Sequence, residues 1–216
     1  MFVLIIDYGS GNIKSVYNSV KRTLHNFNKF SEVKVSGNLS EIEKADKIIL
    51  PGVGSFDQCM NSIRRIKNLE ETLKDQVINK KKPFLGICVG MQILANYGYE
   101  NQKTKGLSWI NGDVKPLKIL LDNSQNLKIP HMGWNNLSIY RNNDLFNDIT
   151  DNDQFYFVHS YFFDIKQKKN IISSTKYGAN IPAIVNQDNI FGFQFHPEKS
   201  GRSGLKILNN WFKLSL

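Results

Sequence analysis

Three side chains in this chain of 216 residues have the types and surroundings needed for acyl-transfer chemistry: Cys88, His196 and Glu198. Cys88 lies in Pro83-Phe84-Leu85-Gly86-Ile87-Cys88-Val89-Gly90-Met91-Gln92, where an apolar run suited to a buried strand gives way to residues suited to a helix. A nucleophile on such a tight turn is lifted clear of the backbone, and glycines at 86 and 90 leave room for strand and helix to approach. The amino end of a helix favours a thiolate over a thiol. The backbone N–H of Val89, next after the sulfur, would meet the oxyanion formed when a carbonyl is attacked. A lone cysteine in an apolar run is otherwise a small packing residue, so the reading requires a base from elsewhere.

That base is sought among the histidines. Phe191-Gly192-Phe193-Gln194-Phe195-His196-Pro197-Glu198 reads as a strand running into His-Pro-Glu. In an extended chain residues i and i+2 point the same way, so Glu198 could hold Nδ1–H of His196 and leave Nε2 to exchange a proton with the thiol. His131 and His159 have no carboxylate two residues away and read as histidines satisfying a loop or strand end. The second oxyanion donor is expected from Pro51-Gly52-Val53-Gly54, through the N–H of Val53 or Gly54; the same residues also suit a plain loop entering a helix. Gly9 and Gly11 are only a fragment of a dinucleotide fingerprint and read as a tight turn. Cys59, at the start of a helical pattern, reads as packing.

The elements that must position these groups follow from periodicity. Phe2–Ile6 and Lys47–Leu50 are unbroken apolar runs, suited to strands covered on both faces. Helical spacing follows the first (Ile13, Val16, Val20, Leu24), and Ile63, Ile66, Leu73 and Val77 mark one long amphipathic helix. The order predicts an α/β fold with an open, mostly parallel sheet flanked by helices, ligands binding outside the carboxyl ends of its strands. From Gly106 onward short apolar stretches between Asn, Asp, Gly and Pro predict an additional antiparallel strand region in the C-terminal half, within a single domain spanning 1–216. A closing amphipathic helix carries Leu205, Leu208, Trp211 and Phe212. Two cysteines cannot build a disulfide scaffold, and no Cys/His spacing resembles a zinc site, so no metal and no cofactor are expected. The net charge of +9 is scattered without interleaved aromatics, which argues for a solvated or protein-docking face over nucleic acid. No run approaches a membrane span or a signal peptide, and a cytoplasmic protein is expected.

These motifs together resemble the class I, triad-type glutamine amidotransferases, whose glutaminase uses Cys, His and Glu in that chain order. Within them the chain is most similar to the glutaminase subunits of imidazole glycerol phosphate synthase. The likeness spans Asp7–Asn12, Pro51–Gly54, Gly86–Gln92, Pro130–Asn135, Tyr156–Tyr161 and Gln194–Ser200. It implies hydrolysis of glutamine to glutamate and ammonia, with Gly52, Gln92 and the segment His159, Ser160 and Tyr161 on the substrate. It also implies a heterodimer with a (β/α)8 cyclase subunit, with Asn12, Tyr156 and Lys199 near the interface. Related glutaminase subunits instead feed ammonia to sugar-modifying amidotransferases of surface-glycan synthesis. Two places depart from the family pattern: Val89, where leucine is common, and Gly201-Arg202-Ser203-Gly204.

Overall fold

A computed structural model describes residues 1–27, 31–121, 127–141 and 143–214. In the first half β1 (Phe2–Ile6), α1 (Ile13–Phe27), β2 (Glu32–Ser36), α2 (Leu39–Lys44), β3 (Lys47–Gly52), α3 (Phe56–Arg65), α4 (Leu69–Lys74), β4 (Phe84–Cys88) and α5 (Val89–Gln92) follow one another. Then come β5 (Tyr97–Tyr99), β6 (Lys103–Lys105), β7 (Gly112–Pro116), β8 (His131–Asn136), β9 (Ser138–Ile139), β10 (Gln154–His159), β11 (Tyr161–Ile165), β12 (Ile171–Tyr177), β13 (Ala179–Gln187), β14 (Ile190–Phe193) and α6 (Gly201–Lys213). The main sheet has eight strands in the order β2-β1-β3-β4-β14-β13-β12-β9. Its first five run parallel, and β13, β12 and β9 continue it antiparallel. Every residue of β3 and β4 is buried, which explains their unbroken apolar runs. Helix α1 packs with α6, while α4 packs with α2 and α3. No described helix is long and apolar enough to cross a membrane.

The structure departs from the sequence reading in two places. The long helix expected over 63–77 is broken: α3 ends at Arg65, Asn68 turns left-handed at φ 62°, and α4 continues into a π-helical turn over Asp75–Asn79. Asparagine tolerates that conformation better than most residues, so the apolar spacing survives a break in the backbone. A short helix, α2, follows β2, capped by the Asn38 side chain on the Ser40 N–H. The antiparallel region expected in the second half is present, and three of its strands extend the main sheet. The others form the pair β10-β8 and the sheet β11-β7-β5-β6. In the latter sheet β5 and β7 are parallel.

Candidate active site

Cys88 is the last residue of β4 and Val89 the first of α5. The Cys88 backbone is at φ 55°, ψ −111°, a conformation that costs a non-glycine residue on the order of 1–3 kcal/mol and persists only where the surroundings enforce it. They do: a Cβ on Gly86 would strike the Gly90 carbonyl, and one on Gly90 the Leu50 carbonyl. The helix is shorter than the sequence suggested. α5 is a single turn, after which Ile93, Leu94 and Ala95 bond back to Val89, Met91 and Gln92 before the chain enters β5.

His196 reaches Cys88 because β14 lies beside β4, in parallel, with Phe193 opposite Ile87. Two residues far apart in sequence thus leave the same sheet edge side by side. Glu198 arrives differently from the extended-strand expectation. The strand ends at Phe193, His196 is at φ −97°, ψ 97°, and Pro197–Lys199 forms a 3-10 turn. That turn brings Glu198 Oε1 to 2.8 Å from His196 Nδ1, both side chains 3% exposed or less. The turn is stitched to β10: the His196 N–H donates to the Tyr156 carbonyl (2.9 Å), the Tyr156 N–H to Ser200 Oγ (3.0 Å), and Ser200 Oγ–H to the His196 carbonyl (2.6 Å). The Phe195 ring, 4.5 Å from Phe155 and 5.6 Å from Phe157, locks the same junction. Burial disfavours a charged His196 ring, but hydrogen bonds and charge from Cys88 and Glu198 outweigh it and push its pKa up to about 10.

A cavity of about 380 Å³ opens over these groups, lined among others by Val53, Gly54, Cys88, Val89, Gln92 and His196. His159, Ser160 and Tyr161 form another wall, and the exposed Lys199 also lines the cavity. The Gln92 side-chain nitrogen donates to the Tyr161 carbonyl (3.1 Å) and to Gln194 Oε1 (3.0 Å), and among the described residues its own oxygen meets no donor. Gly52 does not line the cavity. It pairs with Cys88 in the sheet, and a Cβ there would lie 2.5 Å from the Gly90 nitrogen, so its role is to let β3 approach the elbow. Asn12, at the foot of α1, is half-buried and also outside the lining. Tyr156 and Lys199 stand together on the rim, the ammonium 5.6 Å from the ring centroid. Beside them Trp134 is 53% and Met132 60% exposed.

The sequence reading missed Glu100, which lines the cavity just past β5 and accepts the Phe56 N–H at 2.7 Å. Burial pushes its carboxyl above the usual range. Nothing adjacent in sequence marks it. His131 and His159 turn out to be direct cross-strand partners in β8 and β10. Both rings are buried, and proton accounting assigns their tautomers. His159 Nδ1–H donates to the Tyr161 carbonyl (2.8 Å), His159 Nε2 accepts from His131 Nδ1–H (3.0 Å), and His131 Nε2 accepts from the Asn135 amide (3.4 Å). The chain of bonds closes with both rings neutral. Burial depresses His131 to about 4 and His159 to about 3.

Comparison with known proteins bears on what this site does. The profile of the class-I glutamine amidotransferase family matches residues 4–214. The imidazole glycerol phosphate synthase subunit HisH of Pelagibacter ubique is 45% identical over 99% of this chain and 100% of its own length. The HisH subunit of Brucella suis is 39% identical over 99% of each, and that of Leptospira borgpetersenii 42% identical over 97% and 98%. Among solved structures, a glutamine amidotransferase aligns at a TM-score of 0.69 with 16% identity, covering 97% of this chain and 98% of its own, which bears on the fold alone. A second, from Thermotoga maritima, aligns at 0.60 with 17% identity over 94% and 78%. A cysteine at a strained elbow, a paired histidine and glutamate just beyond the end of the neighbouring strand, and full-length similarity agree: this chain belongs to the class-I glutamine amidotransferase family, in its HisH branch.

Proposed function

We propose that this chain is the glutaminase subunit of an imidazole glycerol phosphate synthase, with Cys88, His196 and Glu198 as its catalytic residues. The observation that carries the reading is the meeting of these three side chains at one sheet edge, beneath a cavity sized for a small amide. Cys88 Sγ attacks the side-chain amide carbon of glutamine, and the ring of His196 holds the thiol proton and hands it to the leaving ammonia. The neutral ring then takes a proton from the water that hydrolyses the thioester, releasing glutamate. Glu198 keeps Nε2 of the ring aimed at the sulfur and stabilises its positive charge. The N–H groups of Val89 and of the Val53–Gly54 segment receive the oxyanion. At the other end of the substrate, the Glu100 carboxylate is complementary to an α-ammonium group, and Gln92 with the His159–Tyr161 backbone supplies polar contacts.

Ammonia released into water is protonated and lost as a nucleophile, so the product has value only if passed directly to an acceptor site. The rim around Lys199, with Tyr156, Trp134 and Met132, offers an apolar and cationic surface at the cavity mouth where a (β/α)8 cyclase could dock. The names of the relatives favour that partner over a sugar-modifying synthetase. Mixing the chain with the cyclase and measuring glutamate release tests the reading. Cyclase-stimulated release that Cys88→Ala abolishes is expected; release that persists in Cys88→Ala, or that responds only to a sugar synthetase, contradicts it.

A further inference from the structure

Gln194, two residues before His196, is fully buried just past the end of β14, and its backbone N–H donates to the Ala183 carbonyl at 2.8 Å. Its side-chain amide lies against the nucleophile, and proton accounting decides which end faces which neighbour. The Tyr161 carbonyl can only accept, so the Gln92 side-chain atom 3.1 Å from it is the nitrogen. That nitrogen stands 3.0 Å from one terminal atom of Gln194, which must therefore be the oxygen. Gln194 Nε2 is left facing Cys88 Sγ at 3.9 Å. Turning the Gln194 amide over would set two donors against each other. His159 Nδ1–H, donating to the same Tyr161 carbonyl at 2.8 Å, pins the start of this chain of bonds. The Val158 carbonyl, 4.0 Å from the sulfur, offers it an acceptor. An acceptor suits the thiol, whereas a donor suits the thiolate.

We propose that the Gln194 amide is a second side-chain donor, beside His196, that steadies the Cys88 thiolate, its orientation locked by Gln92 and the Tyr161 carbonyl. The thiolate is the nucleophile, and a buried charge persists only where donors stand close to it. An N–H held at an ion is worth more than one held at a neutral atom, so the contact tightens as the sulfur loses its proton. This deepens the glutaminase reading and rests on it. It also couples the substrate wall to the nucleophile, because Gln92, which lines the cavity, is the residue that sets the Gln194 amide.

The test alkylates the full chain with iodoacetamide, a small amide, across a range of pH and follows the Cys88 peptide by mass spectrometry, for wild type, Gln194→Met and Gln194→Glu. Only the thiolate reacts, so the midpoint of the rate profile reports how readily the sulfur gives up its proton. Methionine keeps the length of glutamine and loses the N–H. Glutamate keeps the shape and an oxygen for Gln92, and sets a second oxygen before the sulfur. The midpoint is expected to rise by about one pH unit in Gln194→Met and further in Gln194→Glu, where like charges meet. Should Gln194→Met unfold, Gln194→Glu carries the test. Glutamate release by the wild-type chain with its cyclase partner is measured alongside: its absence overturns the glutaminase reading and this inference with it. Release by wild type, with a midpoint that stays in place in a folded variant, overturns this inference alone, since a residue that only fills space would leave the profile unmoved.

Discussion

Two histidine environments border one cavity and behave in opposite ways. His196 is 2% exposed, His159 6% and His131 3%, so burial alone would hold all three neutral. His196 nevertheless keeps its proton up to about pH 10, because a carboxylate at 2.8 Å and the Cys88 sulfur face the two sides of its ring. His131 and His159 are given a backbone carbonyl, an amide and each other, and are held down to about 4 and 3. At equal burial, the presence of a countercharge decides whether a ring is a proton carrier or a structural link.

Glu198→Gln should break that contrast most severely. Without the carboxylate His196 resembles His159, and glutamate release by the complex should fall about 10³- to 10⁴-fold, while part of the stability that the raised His196 pKa supplies at neutral pH is lost with it. Next in size is the pH dependence of folding. In the unfolded chain His131 and His159 bind protons below the ordinary 6.5, whereas the folded chain excludes them down to about 4 and 3. Stability should therefore fall as pH drops from about 6.5 toward 3, His131 alone contributing roughly 3 kcal/mol. His196 has the opposite sign: its contribution is complete below 6.5 and is lost as pH rises through about 10. Denaturant melts across pH check both limbs. His159→Ala removes a ring and strands the Nδ1–H of His131; a loss of about 2–4 kcal/mol is expected in chemical denaturation. Asn135→Ala, which takes away the last link of the chain of bonds together with a hydrogen bond to the Lys176 carbonyl, should cost about 1–2 kcal/mol.

The contrast also marks what could be read from the sequence. Cys88 and the His196–Glu198 pair were legible because each is built locally: the elbow needs glycines within two residues, and the glutamate is two positions from its histidine. Even there the local geometry differed, since a 3-10 turn rather than a strand brings Glu198 round. The neutral pair was not legible, because His131 and His159 meet only through the register of β8 and β10. Glu100 was invisible for the same reason, being carried to the cavity by a three-residue strand with no motif of its own. The parallel half of the sheet was readable from its apolar runs. The break at Asn68 was not, because apolar spacing continues across it and only the backbone of one residue changes.

The central claim, a covalent step at Cys88 driven by a charged His196, is tested most directly by rapid acid quench of the complex during turnover of glutamine, followed by peptide mass spectrometry. A glutamyl thioester on the peptide that contains Cys88, absent in Cys88→Ala and much reduced in Glu198→Gln, is the expected result. Steady glutamate release with no adduct at Cys88, and equal release from Cys88→Ala, would contradict it.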